Sequence, residues 1–207
     1  MPTKANGSSM QICRLLVAVA LIAAVASAQE HLPAIAILSL PNGPVTQIAS
    51  PDGSHILYGV PYQSGVNDTP QLWMEDVRTQ QRHMLLSIAG TLTAVWSPDG
   101  SAFSVEDHRA SDSTRSYIYD ASTLQRLDLA DRILESDPGV KRFAAGHAYF
   151  AVDRWQGAAQ VVVRLHGHTD RDPVVCFDFR YRVSRSGAVE KRSQRAVPMD
   201  GKNPCDD

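Results

Sequence analysis

Short apolar runs separated by polar turns recur along the chain from Ala34 onward, and their length and alternation predict strands rather than helices. The runs are AIAILSL (Ala34 to Leu40), VTQIA (Val45 to Ala49), HILYGV (His55 to Val60), LTAVW (Leu92 to Trp96) and AFSVED (Ala102 to Asp107). Further on come Tyr149, Phe150 and Val152, then AAQVVVRL (Ala158 to Leu165), VVCFDFRYRV (Val174 to Val183) and AVEKRS (Ala188 to Ser193). The last two predict a hairpin about Arg185-Ser186-Gly187. Only LADRILESD, Leu129 to Asp137, departs from this pattern. Its Leu129, Ile133 and Leu134 share one helical face, and Pro138-Gly139 ends it.

The runs are not independent of one another. Ser50-Pro51-Asp52-Gly53-Ser54 recurs as Ser97-Pro98-Asp99-Gly100-Ser101, 47 positions later, with a strand-like run on each side of both copies. Proline presets φ at the second turn position, aspartate bonds backbone amides, and glycine accepts positive φ, so each copy predicts a hairpin turn. The downstream halves also match. QLWMEDVRTQQRHMLL (Gln71 to Leu86) and SYIYDASTLQRLDL (Ser116 to Leu129) each run as strand, Asp, Thr-containing turn, strand. A third, degraded copy begins near Lys141, with Gly146 standing 46 positions after Gly100 and no Pro-Asp turn. Two hairpins that merely share turn chemistry are the simpler reading. Matching flanks in register favour a true repeat.

Four short strands every 45 residues or so are the mark of propeller blades. WSPDG, followed by a strand and an aromatic-x-x-Asp-x-x-Thr hairpin, resembles the WD40-like repeat of TolB-type periplasmic propellers. It is also similar to the repeat in the propeller domains of prolyl-oligopeptidase-like enzymes. Trp96 to Gly100 is the better copy, whereas Ser50 to Gly53 lacks the preceding Trp. The resemblance implies an all-β fold of antiparallel blades, either a small four-bladed propeller or an incomplete, open one. In a closed form, the fourth blade combines Ala34 to Leu40 with the two C-terminal runs. The resemblance also implies an envelope-associated partner.

The N-terminus adds a destination. Lys4 and Arg14, the apolar run Leu15 to Ala26 and the small-x-small Ala26-Ser27-Ala28 predict a secretory signal peptide over residues 1–28. One β-repeat domain over 29–207 follows, with no membrane span after cleavage. The mature chain then carries 18 basic against 22 acidic residues, about −4, without a cationic block. Nucleic acid needs clustered cations to displace counterions, so it is not an expected partner. Cys176 and Cys205 survive processing, and an even pair in an oxidising compartment predicts a disulfide tying down the C-terminal tail. Closing that loop contributes on the order of 3–4 kcal/mol in the chain-entropy model. Two unpaired thiols are the other reading. Asn67-Asp68-Thr69 is a glycosylation sequon only in a eukaryotic secretory pathway.

Candidate chemistry is sparse. No G-x-S-x-G elbow occurs, so the hydrolase half of prolyl-oligopeptidase-like enzymes has no counterpart here. His166-Gly167-His168 with Asp170 is the densest ligand cluster. Alternate strand residues share a face, so both imidazoles are candidate metal ligands, against a plain polar loop. Glu106-Asp107-His108 offers acid–base groups at a strand exit, with a solvated hairpin tip as the alternative. Trp96 and Trp73 are expected in the core. Trp155, in VDRWQG, is expected at a hairpin tip as a partner contact, with Asp107 and His108 as further binding candidates. No cofactor is expected. The reading that best joins these observations is an exported, periplasmic or secreted, propeller-like module without catalytic activity that binds an envelope or secreted protein or peptide. An exported hydrolase or metal-dependent enzyme using His166, His168 and Asp170 is the alternative, and a diverged fragment with little function of its own is a third.

Overall fold

The computed structural model describes residues 37–43, 46–66, 68–171 and 174–199. Residues 1–28, expected to be a signal peptide, together with Asn67 of the sequon and Cys205, lie outside them. The described residues form three consecutive four-stranded antiparallel meanders preceded by a short strand, β1 (Leu38–Leu40). The first meander is β2 (Gln47–Ala49), β3 (His55–Val60), β4 (Gln71–Asp76) and β5 (Arg82–Ser87). The second is β6 (Thr91–Trp96), β7 (Ala102–Ala110), β8 (Ser113–Asp120) and β9 (Arg126–Asp128). After helix α1 (Leu129–Ser136) and a 3-10 turn at Pro138–Val140 comes the third: β10 (His147–Gln156), β11 (Gln160–His168), β12 (Val175–Ser184) and β13 (Val189–Pro198). The all-β, blade-like reading of the sequence therefore holds.

The repeat is visible bond by bond. In the first copy the Ser50 hydroxyl donates to Asp52 Oδ1 at 2.6 Å and accepts from the His55 amide at 2.9 Å. In the second, Ser97 donates to Asp99 Oδ1 at 2.7 Å and accepts from the Ala102 amide at 3.0 Å. Gly53 and Gly100 sit at φ +71° and +75°, as the turn requires, and each amide donates back to the serine carbonyl. The outer hairpins repeat as closely. Asp76 Oδ1 accepts from the Thr79 amide and Asp120 Oδ1 from the Thr123 amide, while Gln80 and Leu124 take the same left-handed conformation.

The closed four-bladed form does not occur among the described residues. β1 pairs with β6 (Leu38↔Ala94, Leu40↔Leu92) instead of joining the C-terminal strands. β12 and β13 extend β10 and β11, completing the third meander. The physical reason is length. With nine or ten residues each, the last four strands satisfy one another's backbone along their whole extent. β10 also meets the start of β8 in a short parallel ladder (Ala148↔Ser113, Tyr149↔Thr114), so the second and third meanders form one sheet.

Burial explains the stacking. Leu57, Leu72, Leu92, Trp96, Phe103 and Tyr119 belong to a core between the first two meanders. Ile118, Ile133, Phe150, Leu165, Phe179 and Tyr181 belong to another, shared with α1. The second meander contributes to both: Phe103 and Tyr119 face one core, Ala102 and Ile118 the other. α1 is capped by Asp128, whose carboxylate accepts from the Asp131 amide at 3.1 Å, and it buries Leu129, Ala130 and Ile133.

The tryptophans divide differently from expectation. Trp96 is buried, stacks edge-on against Phe103 at 5.0 Å, and donates to the Ile48 carbonyl of the first meander. Trp155 is buried rather than exposed, at 8 % accessibility, and its indole N–H donates to Val95 O at 3.3 Å. An indole that reaches a backbone carbonyl on the neighbouring meander gains both packing and a hydrogen bond, which outweighs its place near a hairpin tip. Trp73 is only half-buried, on the opposite face from Leu72 and Met74, and its indole N–H bonds Gln71.

The turn aspartates tie stability to pH. The Ser50 hydroxyl, with Ser54, pulls Asp52 down to about 2. Ser122, then Thr123 and Arg185, hold Asp120 well below the ordinary carboxylate range against the opposing effect of burial. A carboxyl with a depressed folded-state pKa contributes stability above its unfolded pKa and loses it as pH falls through the folded one. Unfolding free energy should therefore drop between about pH 4 and about pH 2. Asp120→Asn should cost about 1 kcal/mol at neutral pH and flatten that acid limb, read by urea titration at each pH.

Candidate binding face and cleft

The polar face of the third meander follows from register. Residues paired across antiparallel strands project to the same side, so one face carries His147 with His168, Tyr149 with His166, and Arg164 with Arg180. Phe150, Leu165 and Phe179 alternate with them and fill the core. Asp178, opposite His166, receives Arg164 Nε at 3.1 Å. This face meets the second meander at the β8–β10 junction. There His108, Thr114, Tyr149, Ala151 and His166 line an open cleft of ≈ 260 Å³.

The cleft walls are fixed by hydrogen bonds. His108 Nδ1 lies 2.8 Å from Thr114 Oγ1, and the Tyr149 hydroxyl donates to Ser111 O at 2.7 Å. The Tyr149 and His166 rings lie 5.3 Å apart. Beside His108, at 3.7 Å from its Nε2, the Glu106 carboxylate accepts from the Val152 amide through Oε1 at 2.5 Å and so bridges β7 to β10. Burial is the main influence on this carboxyl and raises its pKa, only partly offset by the Val152 amide and His108.

The candidates from sequence scatter across this geometry. His108 and His166 meet in the cleft, although they came from separate motifs. Asp107 is fully buried, on the other side of β7 from Glu106 and His108, where it accepts from Arg109 Nε at 2.5 Å. It belongs to the sheet interior rather than to a solvated tip. His168 and Asp170 come together, but their partner is His147, not His166. The His147 and His168 rings stack at 4.3 Å, and His147 Nδ1 lies 3.1 Å from Asp170 Oδ1. His147 and Tyr149 were not singled out by the sequence, and alternation along His147-Ala148-Tyr149 was the available signal. Cys176 is buried at the start of β12.

The arrangement defines an antiparallel β-repeat protein of stacked four-stranded meanders. Among solved structures the chain is similar to TolB from Acinetobacter baumannii, at 16 % identity and a TM-score of 0.33, over 75 % of this chain and 43 % of that one. It is similar also to a putative TolB from Agrobacterium tumefaciens, at 15 % identity and a TM-score of 0.36, over 70 % and 44 %. The chain thus spans less than half the length of either structure. No family model and no curated protein matches it. Among the described residues, no helix is long and apolar enough to cross a membrane.

The Glu106 bridge can be tested directly. Glu106→Ala strands the Val152 amide without its acceptor and should lower stability by about 1–3 kcal/mol. Glu106→Gln keeps a carbonyl acceptor and should restore most of the loss, both read by urea unfolding.

Proposed function

We propose that the chain is an exported, periplasmic or secreted, binding module without catalytic activity of its own, and that its ligand is an envelope or secreted protein or peptide. The observation that carries this reading is how the candidate acid–base groups are spent. Glu106 joins two strands through the Val152 amide, and Asp107 is buried against Arg109. What faces solvent is a shallow cleft whose imidazoles and phenol stand on paired strands, a rigid surface suited to recognition. The N-terminal Lys4, Arg14, apolar run and Ala26-Ser27-Ala28 support export, and the acidic balance of the mature chain argues against nucleic acid.

The Cys176–Cys205 bridge belongs to the same proposal, because it requires an oxidising compartment. Intact mass before and after reduction reads it: a gain of two hydrogens supports the bridge, and an unchanged mass refutes it. For the binding module, the full chain serves as bait in envelope extract. A specific partner should be captured, and His108→Ala with His166→Ala should weaken that capture by tenfold or more if the cleft is a binding hot spot. Recovery of no partner across salt conditions, or capture indifferent to the double substitution, would overturn the assignment to this cleft.

A further inference from the structure

Next to the cleft on the same face, two imidazoles and a carboxylate converge at the open end of the β10–β11 hairpin. His147 and His168 are a cross-strand pair in register, and their rings overlap at 4.3 Å with only 24° between planes. Asp170 follows β11 by two residues and returns its carboxylate to His147 at 3.1 Å. The candidate ligand atoms of all three lie within 4.8 Å of one another. Ligands on one tetrahedral ion with bonds near 2.0–2.1 Å sit about 3.4 Å apart, so the set has to draw in by little more than an ångström to hold one ion.

The backbone is shaped to allow this approach. A glycine precedes each histidine. A Cβ on Gly167 would stand 1.9 Å from the His147 carbonyl oxygen, and one on Gly146 would stand 2.9 Å from that of His168 and 3.1 Å from the Asp170 carboxyl carbon. Any other residue at either position would push the strands or the carboxylate apart. The His147 and Asp170 side chains keep 40 % and 59 % of their accessibility, so the cluster opens to solvent.

We propose that His147, His168 and Asp170 form a binding site for a divalent transition metal, zinc by its donor set, with a coordination position open to water or to a donor from a partner. Two imidazole nitrogens with one carboxylate oxygen suit zinc and its d-block neighbours, whereas magnesium and calcium prefer oxygen-only shells. The site is separate from the cleft. His166, two register pairs along the ladder, stands opposite Tyr149 and lines the cleft. The proposal therefore stands whether or not the cleft captures a protein.

The test is isothermal titration of the full chain, purified without a histidine tag, with zinc chloride and separately with magnesium chloride. Cobalt(II) absorption serves as a second readout of ligand geometry. One saturable zinc site and no magnesium response are expected. His147→Ala and Asp170→Asn should each weaken zinc by about tenfold to a hundredfold, while His166→Ala should change it by less than about twofold. Asp170 is exposed, so Asp170→Asn should keep the wild-type circular dichroism spectrum and separate loss of metal from loss of fold. Absence of saturable zinc binding, affinity unchanged in both ligand variants, or equal loss in His166→Ala would overturn the proposal.

Discussion

Everything in this chain depends on the burial of the second meander from both sides. A four-stranded meander has an apolar face that must be covered by another layer. Here Phe103, Val105, Tyr117 and Tyr119 close one core, while Ala102 and Ile118 close the other. The burial pattern shows the difference: Ala102 to Val105 and Tyr117 to Ala121 lie buried in unbroken runs except for Asp120, whereas β4 and β6 alternate. Two indoles lock the stack at equivalent points, Trp96 reaching back to the first meander and Trp155 reaching from the third. Arg185 adds a polar tie from the β12–β13 turn to Ser101 and Asp120, the repeated turns of the second meander.

That constraint accounts for where polar chemistry remains. A face used in stacking must be apolar, so charged and aromatic-polar groups collect on the outer side of the third meander and at its seam with the second. There most of them stand on paired strands, and Arg164 on β11 is tied to Asp178 on its neighbour β12. The cleft and the histidine–aspartate cluster occupy two separate stations along the same ladder.

Much of this was legible in the sequence, because local chemistry dictated it. Ser-Pro-Asp-Gly encodes its own turn, Asp-x-x-Thr encodes the next, and the Leu129, Ile133 and Leu134 face with Pro138-Gly139 after it marks the helix. What could not be read is what depends on count and partner. Counted back from Gln156↔Gln160 along an unbroken hairpin, His147 falls opposite Thr169. The irregularity between Val152 and Arg154 moves it to His168 and so assembles the cluster. Trp155 was misplaced for a related reason: its acceptor, Val95, lies 60 residues earlier, on a strand that nothing near Trp155 names. The partner of β1 was likewise a matter of which edge was free.

The ladders also divide the folding problem into two parts. Among the described residues, every strand pair except two joins strands consecutive in the chain, and so closes a short loop at small entropic cost. The exceptions are β1 with β6, over three register pairs, and β8 with β10, over two. The hairpins can thus form from nearby sequence alone, while the relation of one meander to the next hangs on a handful of distant backbone contacts and on the side chains packed between them. For such a chain the docking of meanders is the non-local part of folding, and each meander keeps its internal hydrogen bonding whatever its neighbour does.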